Sequence, residues 1–154
     1  MNKRILGKSG IRGTPLGLGC WAIGGPLSRE EEGTEAGYGT VNDKESIKAI
    51  KRAIDLGVNF FDTADVYGAG HSEEILGKAL EDYRDDIIIA TKFGNTFDAN
   101  RKKIIGTNLK PDYIRKACEL SLKRLNTDYI DLYWLHCWSA VSYTHLTLPT
   151  ILLV

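Results

Sequence analysis

Four side chains capable of acid–base chemistry follow apolar segments of this chain: Asp62, Tyr67, Lys92 and His136. A tyrosine hydroxyl has a pKa of about 10, so by itself it donates a proton to a carbonyl oxygen poorly. A nearby ammonium group, such as that of Lys92, stabilises the phenolate and is expected to lower this pKa. The carboxylate of Asp62 would hold the ammonium in place, and the imidazole of His136 would orient a carbonyl oxygen. The four residues together predict general acid catalysis with Tyr67 as the acid.

Each of these residues also has an ordinary structural explanation when it is considered alone. An aspartate at the end of a strand often caps the following turn, and a lysine there often only reaches solvent. A loop tyrosine is commonly a packed surface aromatic, and a histidine after apolar residues is commonly a core residue. Their joint placement after consecutive strands is what favours catalysis. None of the four is a redox group, so a reduction would need an external hydride donor.

The elements that must position these residues alternate between strands and helices. Asn42 and Glu45 have the spacing of a capping box, and Gly57 is a favourable end for that helix. Ser72 is expected to cap the second helix, and Pro111 suits the first turn of the third. The predicted helices cover about 42–57, 72–80 and 111–125, and the predicted strands cover 3–6, 17–20, 58–62, 87–92 and 129–136.

This alternation predicts a parallel sheet with helical crossovers. The pattern alone leaves both an open doubly wound sheet and a closed barrel possible. In either fold, binding and catalytic sites form beyond the C-terminal ends of the strands, and the four candidate residues fall at that end.

Composition excludes several other classes of protein. The 154 residues carry 20 Lys and Arg against 20 Asp and Glu, and 43% are apolar, which is typical of a folded domain and not of a disordered chain. No apolar run reaches the ~18 residues of a membrane span. Three cysteines are too few for a disulfide framework, so a cytoplasmic location is expected. The length is also too short for a whole (β/α)₈ barrel, which needs at least about 200 residues.

Two polar segments are expected to be solvated loops. Residues 24–39 mix Gly and Pro with the acidic run 30–32, and residues 101–103 form a short basic run. Neither segment has the spacing of a strand or a helix.

Several segments of the chain resemble the aldo-keto reductase family. They are LGLGCWAIGG (16–25), GVNFFDTADVYGAGHSEEILGKAL (57–80), IIIATKFG (87–94) and SLKRLNTDYIDLYWLH (121–136). The resemblance implies an α/β fold that is a truncated N-terminal half of a (β/α)₈ TIM barrel, preceded by a short N-terminal β-hairpin. It covers one partial domain, 1–140, and implies NADPH (NADP⁺) as cofactor. Within the family, the sequence of the second segment is more similar to the bacterial general-stress and potassium-channel β-subunit-like branch than to the aldose reductases.

The resemblance also assigns residues to the site. It implies a catalytic tetrad of Asp62, Tyr67, Lys92 and His136, and no metal. The expected contacts to the cofactor come from Gly19, Cys20, Trp21 and Asp62. The expected contacts to a carbonyl substrate come from Trp21, Tyr67 and His136.

The last residues depart from the family pattern. VSYTHLTLPT (141–150) resembles a translated transposase adapter from DNA library preparation, so 141–154 is expected to be a non-native tail. The family's later strands and its binding site for the 2′-phosphate are not found in the sequence. A preference for NADPH over NADH therefore rests on resemblance alone, and the 154-residue chain is expected to be inactive as written.

The expected function is reduction of aldehyde or ketone carbonyls to alcohols by an NADPH-dependent oxidoreductase. The alternative is a non-catalytic, redox-sensing regulatory module of the channel β-subunit type, which would keep the same tetrad. A metal site of His71, His136 and Cys137 is disfavoured because it lacks paired ligand spacing. No basic, aromatic-interleaved segment indicates nucleic-acid binding. The expected partner is a small carbonyl substrate, and no association with a membrane is expected. The sequence indicates no oligomeric state.

Overall fold

The computed structural model of the chain describes residues 1–29 and 34–137. The predicted non-native tail, 141–154, and the acidic run 30–32 lie outside the described residues. The strands are β1 (Arg4–Ile5), β2 (Arg12–Gly13), β3 (Leu18–Gly19), β4 (Ser28–Arg29), β5 (Phe60–Asp62), β6 (Ile88–Phe93), β7 (Asn95–Asp98), β8 (Lys103–Thr107) and β9 (Leu132–Leu135). The helices are α1 (Trp21–Gly24), α2 (Asp43–Asp55), α3 (His71–Leu80) and α4 (Pro111–Leu125), and 3₁₀ turns cover Tyr67–Gly70 and Glu81–Asp86.

The central sheet is parallel, with strand order β3-β5-β6-β9. One long helix lies between each consecutive pair of these strands along the chain, which confirms the predicted alternation. Several strands are shorter than predicted. In particular, β9 begins at Leu132 and not near 129.

The packing of the helices decides between the two folds that the sequence left open. Apolar residues of α2, α3 and α4 meet those of one face of the sheet in a single core, which includes Ile50, Phe61, Leu76, Ile89 and Leu125. On the opposite face, side chains such as Ile88 and Leu132 form a separate cluster with Ile11 and contact none of these helices in it. A doubly wound sheet would carry helices on both faces, whereas a barrel carries them outside only. The described residues have the barrel arrangement.

The helix ends follow the expected chemistry in one case and differ in another. The side chain of Asn42 accepts hydrogen bonds from the backbone N–H groups of Lys44 and Glu45, which confirms it as the cap of α2. Ser72 is not the cap of α3, because the helix begins one residue earlier, at His71. The Ser72 hydroxyl is instead buried and donates to the backbone carbonyl of Cys20.

The predicted N-terminal hairpin is present as the antiparallel pair β1 and β2. It closes the N-terminal end of the sheet. The Asn59 side chain, just before β5, accepts from the backbone N–H of Thr14 and donates to the carbonyl of Arg12. A Cβ atom on Gly13 would lie 3.3 Å from the side chain of Ile88, so the hairpin packs directly against the base of β6.

A second small sheet corrects the prediction that 24–39 and 101–103 are wholly solvated loops. Strand β4 pairs in parallel with β8, and β8 pairs with β7. Leu27 is buried in a cluster with Ala64, Val66 and Ile104, which ties this sheet to the loop after β5. The strands were missed because they are short and carry charged residues, so no period of two stands out.

Candidate active site

The register of the parallel strands brings the predicted acid–base residues to one end of the sheet. Asp62 is the last residue of β5, and Lys92 lies near the end of the neighbouring strand β6. The Lys92 ammonium is 2.6 Å from Oδ1 of Asp62, and it donates a second hydrogen bond, of 2.7 Å, to the backbone carbonyl of Thr63. Two oxygen acceptors from the end of β5 therefore hold the ammonium in a fixed position.

Tyr67 lies over this ion pair, on the 3₁₀ turn that precedes α3. Its hydroxyl is 3.3 Å from Nζ of Lys92. The turn is held by a close approach of two glycines: a Cβ atom on Gly68 would lie on the backbone of Gly24 in α1. Gly68 also has a positive φ of 60°, which glycine adopts without strain. Gly68, directly after Tyr67, therefore allows the close backbone contact that positions the phenol.

His136 follows the last residue of β9, and its backbone N–H donates to the carbonyl of Phe93. Its ring meets the ring of Tyr67 edge-on, with centroids 5.5 Å apart. Burial and, next, the positive charge of Lys92 lower the pKa of this imidazole. The ring is therefore neutral at pH 7, with one N–H to donate and one nitrogen to accept. Its buried Nδ1 has no hydrogen-bond partner among the described residues.

The segment 19–21 lies beside the acid–base group, at the end of β3. The Trp21 ring stacks at 6.1 Å from that of Tyr67, and its Nε1–H donates to the backbone carbonyl of Ala36. Gly19 is exposed, and a Cβ atom there would meet nothing within 4 Å. Cys20 lies beneath the site, fully buried, and burial raises the pKa of its thiol to about 12. Its predicted contact with a cofactor stays a prediction.

A cleft of about 360 Å³ opens over these side chains. That volume lies within the range of small-molecule sites. Its walls are apolar and aromatic over much of their extent, with a few polar groups between them. The residues that line it include Trp21, Leu27, Arg29, Glu35, Val66, Tyr67 and His136. The structure thus brings the predicted tetrad together at a space that can hold a small molecule.

A buried charged group behind the site was missed in the sequence. Glu73 on α3 is fully buried, and its two oxygens accept from Thr91 at 2.5 Å and from Arg124 at 2.7 Å. A signal was present, because Glu73 lies three residues before Leu76 and seven before Leu80, on the apolar face of α3. Asp65 is also buried, and its Oδ1 lacks a hydrogen-bond partner among the described residues.

The described part of the chain holds no group of three His, Cys, Asp or Glu side chains arranged to bind a metal. His71, one of the residues weighed for such a site, is paired with Asp43, with 3.0 Å between Nε2 and Oδ1. Within the same described ranges, no helix is long and apolar enough to cross a membrane.

Comparison with known proteins adds to this geometry. The sequence model of the aldo/keto reductase family matches residues 15–151. Aldo-keto reductase YhdN of Bacillus subtilis is 40% identical, over 88% of this chain and 38% of its own length. The holo structure of aldo-keto reductase AKR11C1 from Bacillus halodurans is 37% identical, with a TM-score of 0.70 over 88% of this chain and 40% of its own. An aldo-keto reductase from Klebsiella pneumoniae, solved in complex with NADPH, is 26% identical, with a TM-score of 0.60 over 83% of this chain and 37% of its own.

The chain spans about two fifths of the length of these relatives. The likeness in structure confirms the described residues as part of a (β/α)₈ barrel, in agreement with the one-sided packing of the helices. The assignment to a branch within the family stays a prediction. Because the family model covers most of the sequence, this chain belongs to the aldo/keto reductase family of oxidoreductases.

Proposed function

We propose that the whole protein reduces aldehyde or ketone carbonyls to alcohols with NADPH. The observation that supports this most is the position of the Lys92 ammonium between Oδ1 of Asp62, at 2.6 Å, and the hydroxyl of Tyr67, at 3.3 Å. An ammonium held in this way favours a phenol that gives up its proton, because it stabilises the phenolate left behind.

The chain's own residues have distinct roles in this proposal. Tyr67 donates its proton to the carbonyl oxygen as that oxygen gains negative charge. Lys92 stabilises the resulting phenolate, and Asp62 keeps Lys92 in place. The neutral imidazole of His136, beside the Tyr67 ring, donates its N–H to the same carbonyl oxygen and orients it. The Trp21 ring forms a wall of the cleft against which the substrate packs.

The residues next to the acid–base group fit a nicotinamide cofactor. NADPH, when bound, supplies the hydride that reaches the carbonyl carbon. The open space over Gly19 lets a flat ring approach the backbone there, and the partly exposed carboxylate of Asp62 lies at the adjacent strand end. Gly19, Trp21 and Asp62 would hold this end of the cofactor, and buried Cys20 would position Trp21. The NADPH complex of the Klebsiella relative supports the choice of cofactor.

The test is Tyr67→Phe in the whole protein, assayed with a small aldehyde and NADPH. We expect kcat to fall by at least about 100-fold, because general acid catalysis is worth about that much or more. Binding of NADPH, measured by calorimetry, should change little. Tyr83→Phe is the matched control, because Tyr83 packs in the core away from the cleft. It should keep the wild-type rate.

Two outcomes would contradict the proposal. An unchanged rate in Tyr67→Phe would remove Tyr67 as the acid. A whole protein that binds NADPH but reduces no aldehyde or ketone would favour the redox-sensing regulatory module instead. We also propose that the protein works in the cytoplasm, because its three cysteines are free thiols; cell fractionation checks this.

A further inference from the structure

A positive charge that the acid–base mechanism does not use lies on the cleft. Arg29 is the second residue of β4, and it lines the cleft together with Leu27, two residues before it. Leu27 packs into the buried cluster with Ala64, Val66 and Ile104, whereas Arg29 is exposed.

The backbone of Arg29 is well fixed. It pairs with Ile104 of β8, and its N–H donates to the carbonyl of Thr34 at 3.1 Å. A guanidinium on a fixed strand can be aimed at a ligand, because only the side chain needs to be ordered on binding. Arg29 also forms no salt bridge with any other residue that the structure describes.

Arg29 and His136 line the same cleft. After burial and the positive charge of Lys92, the charge of Arg29 is a further cause that lowers the pKa of His136. The other cation at the site, Lys92, is already paired with Asp62. Of the described residues that line the cleft, Arg29 is therefore the cation without a salt bridge to another described residue.

We propose that Arg29 selects carbonyl substrates that carry an anionic group, a carboxylate or a phosphate, across an apolar segment from the carbonyl. This rests on the proposed function, because it assumes that the carbonyl lies at Tyr67 and His136. The apolar walls formed by Trp21, Leu27 and Val66 receive the middle of such a molecule. The planar guanidinium binds a carboxylate or a phosphate with two parallel hydrogen bonds.

The experiment compares aldehydes that differ in charge, in the whole protein with NADPH. The probes are 4-carboxybenzaldehyde, 4-formylphenyl phosphate and the uncharged methyl 4-formylbenzoate. We expect the wild-type KM to be about tenfold lower for at least one anionic aldehyde than for the ester, with similar kcat. The anion with the larger ratio identifies the group that the site prefers. Added salt should reduce the ratio, because it screens a partly exposed pair.

Substitutions test whether Arg29 is the cause. Arg29→Gln should raise KM for the preferred anion by about tenfold and change KM for the ester by less than about twofold, and Arg29→Lys should restore part of the loss. Glu35→Gln should lower KM for the anion, because it removes a repelling charge from the same cleft. Arg4→Gln, on the hairpin at the opposite end of the sheet, is the control for a general loss of charge.

The outcomes separate this inference from the proposed function. Equal KM values for ester and anions, or an equal effect of Arg29→Gln on all three probes, would overturn the role of Arg29 while leaving carbonyl reduction intact. If no aldehyde is reduced, the proposed carbonyl reduction is wrong. Binding of the same three compounds, measured by calorimetry, then tests the role of Arg29. Binding of an anion that is lost in Arg29→Gln supports the site, and binding that ignores charge overturns it.

Discussion

The carboxyl group of Asp65 is buried behind the candidate active site. Its residue is 1% exposed, and its backbone N–H donates to the carbonyl of Lys92. Burial and, next, the negative charge of Glu73 raise the pKa of Asp65 to about 8. The two oxygens of Glu73 accept hydrogen bonds from Arg124 and Thr91, whereas Oδ1 of Asp65 has no hydrogen-bond partner among the described residues. Asp65 therefore keeps its proton at pH 7.

The proton on Asp65 makes stability depend on pH. In the unfolded chain this group has an ordinary pKa of about 4, so between about pH 4 and pH 8 only the folded protein holds the proton. The free energy of unfolding should therefore fall as pH rises through this window, by at most about 1.4 kcal/mol per pH unit. Asp65→Asn should remove this contribution and gain stability relative to wild type toward pH 8. Urea unfolding of both proteins at several pH values measures it.

The difference between the two proteins is the quantity to compare. His136, whose pKa is lowered in the fold, contributes a change of opposite sign, and this contribution cancels when the variant is subtracted from wild type. Unfolding free energies that run parallel from pH 4 to pH 8 would show that Asp65 is ionised in the folded protein.

Among individual residues, the sequence predicted the acid–base residues at the ends of strands but not the buried residues that pack behind them. Asp62, Lys92 and His136 could be placed because parallel strands bring their C-terminal ends together. Asp65 and Glu73 could not be assigned partners, because their surroundings depend on how α3 and α4 pack. The burial of Cys20, between predicted contact residues, depends on the same tertiary packing.

Glycines set the distances between the elements that carry the site. Gly24 of α1 and Gly68 of the 3₁₀ turn lie in backbone contact, which places Tyr67. Gly77 of α3 faces the C-terminal end of α4 in the same way: a Cβ atom there would lie 2.6 Å from the backbone oxygen of Leu125. This close approach brings Glu73 on α3 and Arg124 on α4 within hydrogen-bond distance.

Gly77→Ala tests this packing between helices. Alanine favours a helix by about 1 kcal/mol over glycine, but here the added methyl group would push α3 away from the backbone of α4. We expect a net loss of about 1–3 kcal/mol in the free energy of unfolding, measured by urea unfolding of the whole protein. Gly19→Ala is the matched control, since its methyl group would meet nothing, and it should change stability little. A more stable Gly77→Ala variant would show that the helices separate freely.

Elements in which apolar residues recur at regular spacing over several turns were predictable, and short polar strands were not. The stripe of Ile47, Ile50 and Ile54 indicated α2 without ambiguity. Strand β4 has two residues, and its existence depends on pairing with β8, about 75 residues later in the chain. Local sequence carries no signal for such a pair, because its stability comes from the partner strand and from Leu27 below it.

Across the whole molecule, the parallel sheet is open at both sides among the described residues. Strands β3 and β9 each pair with one neighbour, so each presents an unpaired row of backbone groups. Trp134 and Leu135 on β9 are 47% and 39% exposed. The sheet face that lacks helices is thus covered mainly at the end where the hairpin packs.

Residues 1–154, expressed as a separate polypeptide, should therefore self-associate or lose cooperative side-chain packing. Light scattering after size exclusion and near-ultraviolet circular dichroism on heating measure the two behaviours. Leu135→Lys should reduce the association, because a charge on an edge strand opposes pairing with another chain. Lys123→Ala, on exposed α4, is a control that leaves the edge unchanged. A monomer with a sharp thermal transition would contradict this prediction.

The position of Trp21 also gives the molecule an optical reporter. Trp21 is 45% exposed, and its indole is anchored through Nε1 to the backbone carbonyl of Ala36 and lies beside the Tyr67 ring. The wavelength at which an indole emits depends on the water around it, so a molecule that enters beside Trp21 changes the light that the protein gives out. Occupancy can then be followed by intrinsic fluorescence in real time, without a label and without turnover.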